Sequence, residues 1–187
     1  MTGIPKEIAG RVSRETAERL TIFAEELARW QRALNLVSPA SLPHLWTRHI
    51  DDSLQVAELA PGAKAWIDLG SGGGLPGLVV AAVDPARRVT LVESDARKAA
   101  FLRSAARRMS LDRVAVQSVR IEALPMPEPM PEIVSARALA TLTRLLAYAQ
   151  PFLQNGAVGL FPKGRSVAEE LTEARESWNF EVDIERS

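Results

Sequence analysis

Residues 66–82 read WIDLGSGGGLPGLVVAA and give the clearest indication of the fold of this chain. A short apolar run contains the acid Asp68, five glycines follow within residues 70–77, and a second apolar run begins after Pro76. The first run predicts a buried strand and the second predicts a helix, because proline suits the first helical turn. Glycine permits positive φ and close approach of a ligand to the main chain. The stretch therefore predicts a strand–turn–helix unit that holds a ligand, since a tight turn alone would need only one glycine.

Strand and helix patterns alternate along the remaining chain. This alternation predicts an α/β fold with a mostly parallel sheet flanked by helices. Ligands of such sheets bind at the carboxyl ends of the strands, which is where the glycines follow the first strand. Strand patterns occupy residues 65–69, 88–94, 114–124, 132–138, 155–164 and 178–185, and helical patterns occupy residues 77–83, 95–109, 142–153 and 166–177.

The amino-terminal part of the chain has a different pattern. Apolar residues recur at helical spacing over residues 13–34, with Ser13 as a predicted N-cap, and a second helix is predicted over residues 45–60. We interpret residues 1–62 as a helical cap and residues 63–187 as the cofactor-binding core of a single domain.

Composition limits the function. Lysine and arginine number 23 together, as do aspartate and glutamate, so the net charge is zero and any nucleic acid must be met by a local patch. The absence of cysteine excludes disulfides and thiolate metal sites, and two histidines are too few for a histidine-based metal cage. No apolar run approaches the roughly 20 residues that span a bilayer. We expect a cytoplasmic protein with no metal and no membrane partner, and a monomer.

Two registers of the glycine motif leave two ligand classes open. Gly72, Gly74 and Gly77 have the spacing of the dinucleotide-binding fingerprint. Asp68 followed by Gly70, Gly72 and Gly74 instead has the acid-x-Gly-x-Gly-x-Gly spacing of S-adenosylmethionine-dependent methyltransferases. The spacing alone does not decide between NAD and S-adenosylmethionine.

Residues after the second and third strands predict an adenosine site. Glu93 ends the second strand about 20 residues after the glycines, where a carboxylate accepts both ribose hydroxyls of either cofactor. Ile121 and Glu122 follow the third strand, where their backbone would meet the adenine edge and Ile121 would cover its face.

Five longer stretches identify a family. They are NLVSPASLPHLWTRHIDDSL at residues 35–54, DLGSGGGLPG at 68–77, VESDARKAAFLR at 92–103, SARALATL at 135–142 and FPKG at 161–164. Together they resemble the bacterial 16S ribosomal RNA guanine-N7 methyltransferases, also known as glucose-inhibited division protein B. The combination of Arg-His-x-x-Asp-Ser-Leu with Gly-Leu-Pro-Gly and Pro-Lys-Gly makes the resemblance to this family specific.

The resemblance implies a Rossmann-like class I methyltransferase fold and methyl transfer from S-adenosylmethionine to N7 of a guanine, with 16S ribosomal RNA or the small ribosomal subunit as partner. No catalytic residue is assigned; Arg137 and Lys163 are candidates at the rim of the site, because they follow the fourth and fifth strands. The residues expected at the cofactor are Gly70, Gly72, Gly74, Leu75, Glu93, Ile121, Glu122 and Arg137.

Several side chains have two interpretations. Arg137, Arg144, Lys163 and Arg165 are candidate RNA contacts, because Arg137 and Lys163 follow the fourth and fifth strands. Arg48 and Asp52 are four residues apart and predict an ion pair on a helix. That helix is interpreted as a support for the glycine loop, with His49 and Asp52 in structural roles and not in a triad or metal site.

Two other functions are weighed against the methyltransferase. A non-catalytic module that senses S-adenosylmethionine would bind the cofactor and leave RNA unmethylated. An NAD-dependent oxidoreductase is disfavoured, because Leu75 and Pro76 crowd the turn that a pyrophosphate would approach and no Tyr-x-x-x-Lys pair is present.

Overall fold

The computed structural model describes residues 3–186. Within them a five-stranded sheet has the order β3-β2-β1-β4-β5, and all four neighbouring pairs are parallel. The predicted α/β fold with a parallel sheet is confirmed. The strands are β1 (Ala65–Leu69), β2 (Arg88–Val92), β3 (Val114–Gln117), β4 (Ile133–Ser135) and β5 (Val158–Leu160).

The order of the strands reverses between β1 and β4. The chain builds outward from β1 through β2 to β3, and then returns to the other side of β1 with β4 and β5. Parallel α/β sheets form a crevice at the carboxyl ends of the strands where this reversal occurs. The glycine stretch follows β1 directly, so it lies at this crevice.

Helices cover the sheet, and most of them follow the sequence pattern. Ser13 caps the helix α2 (Arg14–Gln31) as predicted, because its side chain accepts a hydrogen bond from the amide of Thr16. The predicted helix over residues 45–60 is less regular, since a π-helical turn (Trp46–Ile50) precedes its α-helical part. The helices are α1 (Lys6–Ala9), α2 (Arg14–Gln31), α3 (Asp51–Glu58), α4 (Gly77–Val83), α5 (Ala96–Arg108), α6 (Leu142–Leu153) and α7 (Val167–Arg175).

A buried carboxylate joins α2 to α5. Glu26 is fully buried, and it accepts hydrogen bonds from Arg108 at 2.5 Å and from Ser104 at 2.8 Å. Burial opposes the charge, but these bonds and one from Trp30 outweigh it and lower the pKa of Glu26 to about 2. Leu20 and Phe23 of α2 belong to the same apolar cluster as Leu102 of α5. The amino-terminal helices therefore pack on the core.

The strand predicted at residues 178–185 is wrong, because the structure has no strand there. Trp178 and Phe180 pack against an apolar cluster of α6 and α7, while Val182 and Ile184 are 41% and 60% exposed. Alternating apolar residues also suit an extended segment that packs on helices, and the described segment pairs with no strand of the sheet. In residues 3–186 no helix has both the length and the apolarity to cross a membrane.

Candidate cofactor site

A cavity of about 990 Å³ opens at the carboxyl ends of β1, β2 and β4. The glycine loop lines this cavity, as do residues 35–39 and 41 and the helical segment that contains Arg48, His49 and Asp52. The structure brings seven of the eight sequence-predicted cofactor residues to its lining, namely Gly70, Gly72, Leu75, Glu93, Ile121, Glu122 and Arg137.

The glycines of the loop have different roles. Gly70 and Gly72 line the cavity with φ of +67° and +50°, and a Cβ on Gly72 would meet nothing closer than 3.6 Å. Gly74 also has a positive φ, +78°, but a Cβ there would lie 2.6 Å from a methyl group of Leu78. Gly74 therefore permits close packing of α4, and it lies outside the residues that line the cavity.

The amino-terminal segment packs directly on the loop. A Cβ on Gly73 would lie 2.9 Å from the carbonyl oxygen of Leu36. Gln31 at the end of α2 fixes that segment, because its amide group accepts hydrogen bonds from the backbone of Leu36 and Val37 and donates one to the carbonyl of Val37 at 2.8 Å. Gln31 of α2 thus holds this segment where Leu36 packs on the glycine loop.

Glu93 lies at the end of β2 and is 8% exposed. Its Oε2 accepts a hydrogen bond from the amide of Gly72 at 2.9 Å, and its Oε1 accepts one from the amide of Asp95 at 2.8 Å. A carboxylate oxygen can accept more than one hydrogen bond. Glu93 therefore holds the loop and still offers lone pairs to a diol in the cavity.

Ile121 and Glu122 begin the short 3₁₀ turn that follows β3. Residues of α6 line the same cavity, where Arg144 donates from Nε to the Tyr148 hydroxyl at 2.8 Å. Tyr148 lines the cavity and was missed from the sequence. The available signal was an aromatic residue one helical turn after a rim arginine.

Arg137 lies at the centre of a polar cluster in the cavity lining. Its Nη2 donates to the carbonyl of Arg48 at 3.0 Å and to Nδ1 of His49 at 2.7 Å, and it is 3.4 Å from Oδ2 of Asp52. The ion partner of Asp52 is therefore Arg137, where the helical spacing predicted Arg48. Helical spacing could not reveal this partner, because Arg137 is 85 residues distant in sequence.

The cluster faces the cavity as well as supporting the fold. Arg48, His49 and Asp52 all line it, as does Ser41. Burial, reinforced by the cations of Arg137 and Arg48, lowers the pKa of His49 to about 4. At neutral pH the imidazole is therefore uncharged.

Asp68 lies beneath the glycine loop and is fully buried. Its Oδ1 accepts a hydrogen bond from the Ser135 hydroxyl at 2.7 Å, and that hydroxyl accepts one from Nε1 of Trp66 at 2.8 Å. Oδ2 has no hydrogen-bond partner among the described residues. Burial raises the pKa of Asp68 to about 6, although the bond from Ser135 opposes that shift.

Lys163 lies outside the residues that line the cavity. Its Nζ donates to the carbonyl of Ala140 at 3.0 Å and to Glu170 at 2.8 Å. Glu170 also accepts a hydrogen bond from the amide of Leu142, so the pair joins the end of β5 to the start of α6. Within residues 3–186 no group of three or more histidine, cysteine, aspartate or glutamate side chains could hold a metal ion.

The model of the GidB family, described as rRNA small subunit methyltransferase G, matches residues 16–187. The chain belongs to this family. Ribosomal RNA small subunit methyltransferase G of Methylobacterium nodulans is 51% identical over 180 residues, which are 94% of this chain and 84% of the relative. The protein of the same name from Ruegeria sp. is 50% identical over 176 residues, 92% of this chain and 84% of that one.

Solved structures of methyltransferases have a fold similar to that of this chain. An O-methyltransferase from Bacillus cereus in complex with SAH has a TM-score of 0.57 and 19% identity over 82% of this chain and 77% of that one. Cofactor-bound Rv0187 from MTB has a TM-score of 0.57 and 16% identity over 88% and 77%. At these identities the likeness shows the class I methyltransferase fold.

Proposed function

We propose that this chain transfers a methyl group from S-adenosylmethionine to N7 of a guanine in 16S ribosomal RNA. The observation that carries the proposal is the convergence of Gly72, Glu93 and Ile121 on one cavity in a chain of the GidB family. Those are the residues that the sequence predicts for the loop, the ribose and the adenine.

The residues present fit this cofactor. Gly72 lines the cavity and has open space where a Cβ would stand, and Glu93 supplies acceptors beside it. The Ile121 side chain and its turn provide an apolar face for a purine. S-adenosylmethionine, when bound, supplies an electrophilic methyl group on a sulfonium.

The reaction requires little acid–base catalysis by the protein. Guanine N7 carries a lone pair and no proton, so its attack on a methyl group needs no general base. Correct orientation of the two reactants can supply several kcal/mol, up to about 7–11 in favourable cases. His49 accords with this requirement, because its Nδ1 already accepts a hydrogen bond from Arg137 and is not free to take a proton. The role of the chain is to align the reactants and exclude water.

Local cations supply the RNA contact in this proposal. Arg48, Lys98, Arg120 and Arg144 line the cavity along with Arg137, although the whole chain has zero net charge. Such a patch meets phosphates near the target base without attracting RNA from a distance. In this proposal Arg144 contacts the RNA at the rim of the cavity. Lys163 contributes only by supporting the fold.

The domain and assembly assignments are part of the same proposal. Residues 1–62 form a cap on the core at residues 63–187, supported by the Glu26–Arg108 contact and by the packing of Leu36 on Gly73. A cytoplasmic monomer is the expected form, and light scattering of the purified protein measures the oligomeric state.

The test is methylation of 16S ribosomal RNA by the purified protein. Naked RNA and small subunits are incubated separately with labelled S-adenosylmethionine, and mass spectrometry identifies the modified nucleoside. We expect N7-methylguanosine in at least one substrate, and none with Gly72→Val. Tight binding of the cofactor without methylation of either substrate would favour the sensing module instead, and binding of NAD would favour the oxidoreductase.

A further inference from the structure

We propose that His49 is a positioning residue that orients the guanidinium of Arg137 in the cavity, and that it does so as the uncharged tautomer protonated on Nε2. Only the identity of the ligand that Arg137 binds rests on the proposed function. The hydrogen-bond arrangement itself follows from the described residues.

The first step concerns the bond between Arg137 and His49. Nη2 of Arg137 lies 2.7 Å from Nδ1 of His49. A guanidinium has donors and no acceptor, so Nδ1 must be the unprotonated nitrogen of the ring. The proton of the neutral imidazole is therefore on Nε2.

The contacts on the other side of the ring are compatible with the same tautomer. Nε2 of His49 lies 2.8 Å from Oγ of Ser41. That hydroxyl donates its own proton to the carbonyl of Ser38 at 3.0 Å, so toward His49 it presents a lone pair. Proton donation therefore runs from Arg137 to His49, from His49 to Ser41, and from Ser41 to the backbone of Ser38.

This chain of bonds leaves part of Arg137 for a ligand. The contacts of Arg137 with Arg48, His49 and Asp52 all involve Nη2. The donors on Nε and Nη1 carry no hydrogen bond to protein within residues 3–186, and Arg137 lines the cavity. An oxyanion is the ligand chemistry that these donors suit, either the carboxylate of the cofactor or a phosphate of the RNA.

Burial and the cations near His49 favour the uncharged imidazole. Arg48 and Asp52 are on its own helical segment, and Arg137 follows β4. Burial and the two cations lower the pKa of His49 to about 4, so the acceptor at Nδ1 persists at neutral pH. Protonation would place an N–H against the guanidinium and break the bond.

The wild-type protein tests the tautomer directly. The chain has two histidines, so nitrogen NMR shows two imidazoles, and the exposed His44 is assigned with His44→Asn. We expect His49 to be neutral and protonated on Nε2 from pH 8 down to about pH 5. A ring that is protonated on Nδ1, or on both nitrogens at pH 7, overturns the proposal.

Two matched substitutions separate positioning from packing. His49→Asn keeps an acceptor near the place of Nδ1, whereas His49→Gln moves its amide toward Ser41. We expect His49→Gln and His49→Ala to weaken SAH binding or raise the KM for RNA roughly tenfold, and His49→Asn to recover most of that loss. In an Arg137→Ala background, His49→Ala should add nothing. Equal losses for Asn and Gln, or additive losses in the double variant, overturn the proposal.

A truncated ligand identifies the oxyanion. 5′-Methylthioadenosine contains the adenosine but lacks the carboxylate. If Arg137 binds the cofactor's carboxylate, His49→Ala weakens SAH binding and leaves methylthioadenosine binding unchanged; if it binds phosphate, both are unchanged and the KM for RNA rises. A wild-type protein that binds neither ligand and methylates no RNA contradicts the proposed function, whereas the NMR tautomer still decides the bonding of His49.

Discussion

The amide of Gly72 donates a hydrogen bond to Oε2 of Glu93 at 2.9 Å. The carboxylate that the sequence assigns to a ribose is thus also a tether for the loop that follows β1. Because its other oxygen holds the amide of Asp95, Glu93 couples the start of α5 to the glycine loop. Loss of this one side chain should affect both the shape of the cradle and its contacts with the cofactor.

We expect Glu93→Ala to weaken S-adenosylmethionine binding about ten- to a hundred-fold, which corresponds to roughly 1.5–3 kcal/mol for a charge-assisted hydrogen bond. Calorimetry measures the affinity, and hydrogen exchange of the Gly72 amide should become faster because its acceptor is gone. The protein should stay folded by circular dichroism. Unchanged affinity in the folded variant would remove Glu93 from the site.

Gly72 and Gly74 offer a matched pair within one loop. Both have positive φ, which disfavours valine, but a side chain on Gly72 would enter the cavity and one on Gly74 would collide with Leu78. We expect Gly72→Val to abolish cofactor binding in a folded protein, and Gly74→Val to lower the melting temperature far more. Retained binding in Gly72→Val would mean that this loop is not the cradle.

Asp68 makes stability depend on pH. Its pKa in the folded protein is about 6, above the ordinary value of 3.8, so its contribution is most favourable at low pH and is lost as pH rises through 6. Asp68→Asn removes this dependence. From pH 4 to pH 7, the unfolding free energy of the variant should rise relative to wild type by about 2 kcal/mol.

Denaturant unfolding of both proteins across that pH range measures the difference. His49 titrates in the same window with the opposite sign, because its pKa is lowered, but it is present in both proteins and its contribution cancels. A constant difference in unfolding free energy between the two proteins from pH 4 to pH 7 would show that the pKa of the Asp68 carboxyl is not raised.

Local patterns predicted the parts of the molecule that depend on neighbouring residues. Alternating strand and helix patterns were sufficient for the parallel sheet, and Gly70, Gly72 and Gly73 of the predicted loop line the cavity. The same spacing could not separate Gly72 from Gly74, because both positions require glycine for their φ and only tertiary packing distinguishes them.

Long-range partners explain what the sequence patterns missed. Asp52 has Arg48 at helical spacing, yet Arg137 reaches it from the end of β4, where no local rule applies. The alternation at residues 178–185 matched a strand, but the segment forms none in the structure. Lys163 follows β5 as predicted, although its contacts with Glu170 and Ala140 depend on how α6 and α7 pack.

The last prediction concerns which cation meets the RNA. Nζ of Lys163 forms an ion pair with Glu170 and donates a hydrogen bond to the carbonyl of Ala140, and its side chain is 12% exposed. Arg144 lines the cavity mouth and is exposed, with Tyr148 beneath its guanidinium. We therefore expect Lys163→Ala to reduce stability by about 1–2 kcal/mol and to leave the salt dependence of RNA binding unchanged. Arg144→Ala should instead flatten that dependence by about 0.7, the share of one phosphate on single-stranded RNA.

Filter binding over a salt series on wild type and both variants measures these slopes, with calorimetry for the cofactor and denaturant unfolding for stability. The two substitutions each remove one cation, so a general change of net charge affects both equally and cannot produce a difference between them. A slope that falls for Lys163→Ala and not for Arg144→Ala would mean that Lys163 leaves Glu170 to bind phosphate. The rim would then lie beside β5 and not at the cavity mouth.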